Sequence, residues 1–316
     1  MTARRAIVLL DDGKEGELPL GDILEGAGSS SGITLSQLAK EILSDNPGSR
    51  VSDIWYDNQS QVVRRIFSPS PVTTAITTAY VGWLPEIGWI VGNSGAGAGV
   101  TRPVANSQQL ALNTGTTASG QCTLQTGSVA EPEVPTIGDF TSGLTVAKGN
   151  VKGWVSRVTF NIPALSTSAQ EFRVFLPGGI SGGFSPSSPG PEEFTLQYTR
   201  TASVNWRISY RNALNAILDT GIAAGTGVLE FVVYGERLED LTYYVYWGLR
   251  NSGSPTYLAS GTIPDAYINT PAWRAETFTK ATLLQASAGS IMASVGTTTK
   301  VLRIHSYSHA VLLSPP

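Results

Sequence analysis

Cysteine and charge are both scarce in this chain of 316 residues. Charged side chains make up 14% of the sequence, against about 25% in a typical soluble protein. With a net charge of −3 and no basic stripe, the chain lacks the electrostatic footprint of nucleic-acid binding, so we expect no nucleic-acid partner. The one cysteine, Cys122, excludes an internal disulfide framework. No histidine or aspartate adjoins it to activate the thiol, and we therefore expect a buried thiol rather than a nucleophile.

Long apolar runs are absent as well. No stretch approaches the roughly 20 apolar residues that a membrane-spanning helix needs, so we expect no membrane insertion. The apolar run from Ala6 to Leu10 is too short for the core of a signal peptide, and charged residues follow it directly. We therefore expect synthesis in a cytoplasm without a secretion signal.

Turn-forming and small polar residues are abundant. The chain contains 34 glycines and 18 prolines, together with many serines and threonines. Glycine and proline supply the dihedral angles of tight turns, and threonine fits the pleated surface of a sheet. This composition predicts a β-rich protein whose surface is polar but largely uncharged.

Three regions can be distinguished along the chain. Residues 1–49 form an N-terminal segment, in which a turn at Asp11–Lys14 predicts a short hairpin and Thr34 begins one helix. Residues 50–149 contain short aromatic and β-branched runs between Gly, Pro and Ser, which predict a small β-rich middle module. Residues 150–316 form the third region and carry the clearest strand pattern.

The third region alternates between apolar and polar residues with a period of two. Such alternation is typical of strands with one buried face, and Gly, Pro and Asn turns separate the runs. No long helical pattern intervenes, so this region predicts an antiparallel jelly-roll sandwich, and the whole chain is expected to be mainly β. The predicted inward-facing residues include Trp154, Val158, Phe160, Ile162, Phe172, Val174, Leu176, Val204, Trp206, Ile208, Tyr243, Val245, Trp247 and Leu249.

The opening residues carry a family resemblance. Residues 6–22 read AIVLLDDGKEGELPLGD, which combines an apolar strand, a polar turn and a Leu-Pro-x-Gly-Asp element. This order resembles the N-terminal segment of many tail-fibre and other virion proteins of tailed phages. The resemblance implies that residues 1–49 attach the protein to other virion proteins.

The third region resembles the concanavalin-like jelly roll of phage tail proteins. The resemblance implies a structural protein on the exterior of the virion, on the tail or the capsid, made in the bacterial host cytoplasm and self-associating as a homotrimer. After Gly225 the strand Leu229–Tyr234 follows without the Trp-x-Arg-Leu element of that family, so no binding site is carried over. The matching stretches are Phe172–Pro177, Asn205–Ser209, Leu218–Ile222, Thr262–Pro264 and Ala286–Ile304.

The two histidines lie close together near the end of the sequence. His305 and His309 are four residues apart, which on a helix could hold a metal ion, but residues 300–307 alternate as a strand. We therefore expect His305 on an exposed edge beside Arg303 and Tyr307. The second histidine is expected in the C-terminal tail, and with no third ligand nearby we expect neither a metal site nor another cofactor.

Clustered carboxylates raise the possibility of a glycosidase, which needs two carboxyls roughly 5–10 Å apart. Glu192 and Glu193 follow a Pro-Gly-Pro loop, and a second cluster comprises Glu230, Glu236 and the neighbouring pair Glu239–Asp240. Both clusters stand beside predicted turns, which favours solvated charges. We assign no catalytic residue.

Tyrosines are concentrated between residues 243 and 267. If Tyr243 faces the core, alternation turns Tyr244 and Tyr246 outward, and Tyr257 follows them in the sequence. Exposed tyrosines on a sheet can stack on sugars or on a neighbouring subunit, although loops could also shield this edge. We take Tyr244, Tyr246 and Tyr257 as candidate contact residues, with a host-surface glycan as the candidate ligand.

Three functions remain open from the sequence. The favoured one is a non-enzymatic tail fibre or related appendage whose C-terminal jelly roll contacts the host surface. A capsid decoration or head-fibre protein is the second, and a polysaccharide-degrading enzyme is the third.

Overall fold

The structure is a computed structural model made almost entirely of strands. It describes residues 52–57, 62–67, 76–84, 89–102, 109–126, 145–166, 171–179, 194–199, 204–210, 217–271, 275, 277–279, 287–293 and 298–313. The strands are β1 Ser52–Asp57, β2 Val62–Phe67, β3 Ile76–Tyr80, β4 Gly82–Leu84, β5 Trp89–Ser94, β6 Gly99–Arg102, β7 Leu110–Asn113, β8 Gln121–Thr126, β9 Thr145–Ala147, β10 Val151–Asn161, β11 Phe172–Pro177, β12 Phe194–Thr199, β13 Asn205–Tyr210, β14 Ile217–Ala223, β15 Leu229–Arg237, β16 Tyr243–Asn251, β17 Tyr257–Thr262, β18 Thr277–Thr279, β19 Ser287–Ala293 and β20 Val301–Leu313. A 3-10 turn at Lys148–Asn150 and a short helix, α1, at Asp265–Ile268 complete the described elements.

Two large antiparallel sheets face each other. The ten-stranded sheet has the order β17-β16-β15-β10-β20-β7-β6-β3, and β2, with β1 beyond it, pairs with the second half of β20. The eight-stranded sheet has the order β14-β13-β12-β11-β19-β8-β5-β4, and β9 and β18 form a separate small pair. The predicted fold class, a mainly β antiparallel sandwich, is confirmed. The hairpin and helix predicted within residues 1–49 lie outside the described residues.

Apolar side chains from both sheets meet between them and form one core. Thirteen of the fourteen inward-facing residues named from the alternation are confirmed, since each is at most 3% exposed. Val204 is 58% exposed and was predicted wrongly, because it lies before the first residue of β13. Burial of a large apolar side chain contributes about 1.5–3 kcal/mol, so these rows set which face of each strand points inward. On β16, for example, Tyr243, Val245 and Trp247 point into the core, and the residues between them point away from it.

The predicted division near residue 150 does not separate two folds in the structure. β7 and β8, which belong to the predicted middle module, pair with β20 and β19 of the third region. Thr123 on β8 donates a hydrogen bond to Ser290 on β19 at 3.2 Å, across 167 positions of sequence. Val100, Leu112 and Trp154 share one apolar cluster. Local alternation predicts that a strand exists, but it does not predict which distant strand pairs with it. The pairing of β7 with β20 and of β8 with β19 could therefore not be predicted from the sequence.

An extra residue in the middle of β20 changes which side chains in the second half of this strand point into the core. His305 lies at a register shift against β10, as in a β-bulge, and after it the inward positions change parity. Tyr307 and His309 are therefore 3% and 1% exposed, and His309 belongs to the strand rather than to a tail. His305 is half-buried, with its Nε2 3.0 Å from Oδ1 of Asn161. The expected exposed edge of His305 beside Tyr307 and the expected position of His309 were both wrong.

Cys122 lies fully buried on the inner face of β8. Burial raises the pKa of its thiol to about 12, with backbone hydrogen bonds from Asn113 and Gly99 acting in the opposite direction. The thiol is therefore protonated and inaccessible at neutral pH, which confirms the prediction of a buried, unreactive cysteine.

Candidate functional site

The outer face of the ten-stranded sheet carries the three predicted tyrosines. Alternation along β16 turns Tyr244 and Tyr246 away from the core, and both are half-buried. Tyr257 begins the neighbouring edge strand β17 and pairs in register with Arg250 of β16. We call the surface formed by Tyr244, Tyr246 and Tyr257, with the exposed side chains of Ser260 and Thr262 on β17, the tyrosine face.

Gly248 makes room for the ring of Tyr257. A Cβ atom at position 248 would lie 2.3 Å from Cε1 of Tyr257, so the ring lies directly over the backbone of β16. There it meets Tyr246 edge to face, with the ring centroids 6.0 Å apart and the planes at 78°. Such pairs contribute about 0.5–1.5 kcal/mol beyond the area they bury, and this contact orients both rings before any ligand arrives.

All three phenols keep their protons at neutral pH. Burial raises the pKa of Tyr244, Tyr246 and Tyr257, that of Tyr257 to about 12. For Tyr246 a hydrogen bond with Ser260 acts in the opposite direction. A protonated phenol both donates and accepts hydrogen bonds, so the face offers apolar rings and hydroxyl groups side by side.

A buried ion cluster supports the rings from the same face of the sheet. Glu230 on β15 is fully buried, and its Oε1 accepts a hydrogen bond from Nε of Arg250 at 2.6 Å. Its Oε2 lies 2.7 Å from Nε and 2.5 Å from Nη2 of Arg157 on β10. We call Arg157, Glu230 and Arg250 the ion triad. The guanidinium carbon of Arg250 lies 5.6 Å from the ring centroid of Tyr257, so the triad reaches the tyrosine face.

The carboxylates of this region were predicted as solvated turn charges, and for two of them the prediction was wrong. Glu230 and Glu236 lie within β15 and are 0% and 8% exposed. The hydroxyl of Tyr234 donates to Oε2 of Glu236 at 3.4 Å, and burial raises the pKa of that carboxyl. Glu239 and Asp240 are exposed in the β15–β16 turn, as predicted.

The separation of the two buried carboxylates decides what they can do. Glu230 and Glu236 are six positions apart on one strand, which is about 20 Å at the rise of a β-strand. The paired carboxyls of a glycosidase lie roughly 5–10 Å apart. Glu230 and Glu236 therefore cannot form such a pair, and Glu230 is bound on both oxygens by arginines. Glu192 and Glu193 lie outside the described residues.

Two further features are absent from the described part of the chain, a metal-binding cluster and a membrane-spanning helix. No group of three or more His, Cys, Asp and Glu side chains that could hold a metal ion occurs among these residues. Within the same ranges, no helix has the length and apolar character required to cross a membrane.

The sequence pattern predicted the outward direction of Tyr244 and Tyr246 but not the charged residues beside them. Alternation turned Tyr244 and Tyr246 outward, and the structure places the ring of Tyr257 against that of Tyr246 on the same face. The ion triad was missed because its members come from three strands, and Glu230 was interpreted from its local context alone. One signal was available: Arg250 follows Tyr246 by an even number of positions, so the two share a face of β16.

Comparison with known proteins finds solved structures that align with much of this chain at low sequence identity. No protein-family model matches the chain, and no curated protein sequence matches it. Peanut lectin is a structural neighbour with a TM-score of 0.43 and 13% identity, covering 81% of this chain and 99% of the lectin. The seed lectin of Lotus tetragonolobus aligns with a TM-score of 0.39 and 11% identity over 77% of this chain and all of the lectin. A carbohydrate esterase from the Shiga toxin-encoding bacteriophage phi24B aligns with a TM-score of 0.38 and 15% identity over 78% of this chain and all of the esterase.

Proposed function

We propose that this protein binds a saccharide on the tyrosine face. The observation that carries the proposal is the arrangement of Tyr246 and Tyr257 as an oriented, half-buried pair at the edge of the sheet. The flat faces of aromatic rings pack against the C–H surface of a sugar ring, and phenol hydroxyls bond the sugar hydroxyls. Exposed hydroxyls at Ser260 and Thr262 add further polar contacts along the edge strand.

The proposal is of binding without cleavage. Both oxygens of Glu230 are held by arginine side chains, so this carboxylate is not available to protonate a glycosidic oxygen or to attack a sugar. The role that fits such a face is surface contact.

Loss of either ring of the pair is expected to weaken binding about tenfold, because the sugar loses an apolar platform and its neighbouring ring loses support. The measurement is the affinity of wild-type protein, Tyr246→Ala and Tyr257→Ala for saccharides from an immobilised panel. Leu258→Ala is the matched control, because Leu258 is 42% exposed on the same edge strand but is not part of the ring pair. Wild-type affinity in both folded tyrosine variants would exclude the tyrosine face as the site.

The same proposal includes a position on the exterior of a tailed-phage virion, as a tail fibre or related appendage that contacts a host-surface glycan. Support comes from the resemblance of residues 6–22 to virion attachment segments, and we propose that residues 1–49 attach the chain to other virion proteins in a homotrimer. Electron microscopy of virions labelled with an antibody against residues 150–316 is expected to show the label on the tail. Label over the capsid would instead favour a decoration or head-fibre protein.

A further inference from the structure

Two arginines lie on the outer face of the eight-stranded sheet, which is the other sheet from the one that carries the tyrosine face. Arg173 on β11 and Arg207 on β13 alternate with core residues of their strands, and both are half-buried. The Nε atom of each guanidinium is buried and has no hydrogen-bond partner among the described residues. Neither side chain forms a hydrogen bond or an ion pair with any other part of the described chain.

Guanidiniums without acceptors are unusual in a folded protein. Each carries five N–H donors, and a buried donor without an acceptor costs free energy. Native structures leave few buried polar groups unsatisfied, and a bound ion is one of the reasons for those that remain. In both arginines Nε is enclosed while the side chain as a whole is only half-buried, so a ligand from solvent can reach the outer edge of each guanidinium.

The register of the strands places the two arginines on either side of β12. Arg207 lies directly opposite Gln197 of β12, and Arg173 lies opposite Thr199, two positions further along the same strand. Two strand spacings of about 4.8 Å separate β11 from β13, and two positions along a strand span about 6.7 Å. The two Cα atoms are therefore about 12 Å apart, a distance from which two long side chains can approach one group above β12.

No carboxylate comes from the three strands that carry this pair. β11, β12 and β13 contain no aspartate or glutamate, and the two arginines are the only charged residues in them. Glu171, just before β11, pairs with Lys300. Asp219, which lies opposite Arg207 on β14, accepts a hydrogen bond from Nδ2 of Asn205 at 2.9 Å. Within the described residues neither carboxylate forms an ion pair with the two arginines, so the strands around the guanidiniums do not supply the acceptors that they lack.

We propose that Arg173 and Arg207 form a binding site for an oxyanion, a phosphate, sulfate or carboxylate group of a ligand that lies across β12. Arginine matches such groups because its planar fork of N–H donors can bond two of their oxygens at once. Thr199, half-buried opposite Arg173, adds an uncharged hydroxyl donor to the same site. The site is on a different sheet from the tyrosine face, so it goes beyond the proposed saccharide binding and does not depend on it.

The test uses the whole protein and three simple anions as probes. Inorganic phosphate, inorganic sulfate and acetate are titrated separately, with sodium chloride holding the ionic strength constant. Binding is followed by titration calorimetry and by nuclear magnetic resonance of the arginine Nε–Hε groups. At least one anion is expected to bind saturably, with the Nε–Hε signals of Arg173 and Arg207 shifting along the same binding curve. The anion that binds most tightly identifies the group as phosphoryl, sulfate or carboxylate.

Variants separate this pair from arginines in general. Arg173→Met and Arg207→Met are each expected to weaken binding of the tightest anion about tenfold, because each removes a set of charge-assisted hydrogen bonds. Arg207→Lys keeps the charge but loses the fork, so it is expected to recover only part of the affinity. Arg303→Met is the matched control, since its Nε is also buried without a partner among the described residues, but its register partners are Asn161 and Ala111. Its loss should leave binding unchanged.

Three results would overturn the proposal. The first is a response to all three anions that rises linearly without saturation, and the second is saturation with the Nε–Hε signals of the pair unmoved. The third is equal weakening by Arg303→Met, since binding would then follow the overall charge of the protein. If the methionine variants do not fold, the wild-type titration and the identity of the shifted signals still decide the matter.

Discussion

Replacement of Glu230 by glutamine is expected to lower the free energy of unfolding by about 3–5 kcal/mol. The amide has nearly the shape of the carboxylate but no charge, so both arginines of the triad lose their ion pair with residue 230. They remain buried, at 9% and 5% exposure, and repel each other across the position of residue 230. Removal of one partner from a buried ion cluster costs much more than the cluster contributes, because the remaining buried charges lose an interaction that offset their desolvation.

Urea unfolding followed by tryptophan fluorescence measures this loss. Glu239→Gln is the matched control, because Glu239 is exposed in the turn that follows β15, and its change should stay within about 0.5 kcal/mol.

A second variant replaces the whole triad with apolar residues, as Arg157→Met, Glu230→Leu and Arg250→Met together, and is expected to recover most of the loss. A loss below about 1 kcal/mol for Glu230→Gln would contradict the burial and pairing described for this residue.

Replacement of Trp154 by alanine is expected to cost a similar amount, about 3–5 kcal/mol. The indole is fully buried, donates a hydrogen bond from Nε1 to the carbonyl of Gly178 at 3.0 Å, and stacks parallel to the ring of Phe194 with centroids 6.1 Å apart. Its removal leaves a cavity between the sheets and an unpaired carbonyl. Denaturant unfolding of the variant measures the combined cost.

The neighbouring glycine offers a sharper test of this packing. A Cβ atom at Gly235 would lie 2.4 Å from the six-membered ring of Trp154, so Gly235→Ala alone should destabilise the protein by about 1–3 kcal/mol. In the double variant the methyl group enters the cavity left by the indole, so the combined cost should be at least about 1 kcal/mol less than the sum. Gly225→Ala is the control, since nothing lies within 4 Å of its Cβ position. A loss of stability in the double variant equal to the sum of the two single losses would contradict the contact between Gly235 and Trp154.

Period-two alternation predicted the parts of the fold that depend on local pattern. It assigned Tyr243, Val245 and Trp247 to the core and turned Tyr244 and Tyr246 outward, because burial of one face is specified strand by strand. The alternation did not predict which strands pair with each other when they are distant in the sequence. Local pattern holds no signal that β8 pairs with β19, and the chain was therefore divided within what is a single pair of sheets.

The charged part of the site escaped prediction for a related reason. Glu230 takes one arginine from a position 73 residues away and another from 20 residues away, so its environment depends on register rather than on its sequence neighbours. The bulge at His305 could not be predicted for the same reason, because it depends on the register between β20 and β10. One extra residue there changes which of the following residues of β20 point inward, and alternation alone gives no sign of it.

The central claim, that the tyrosine face binds saccharide, is tested most directly by nuclear magnetic resonance of protein with isotope-labelled tyrosine rings. The chain has 11 tyrosines, and single Tyr→Phe variants assign the ring signals. On titration with the tightest-binding oligosaccharide of the panel, the signals of Tyr244, Tyr246 and Tyr257 are expected to shift together while that of Tyr198, buried in the core, stays in place. Saturation of binding with these three signals unmoved would contradict the account.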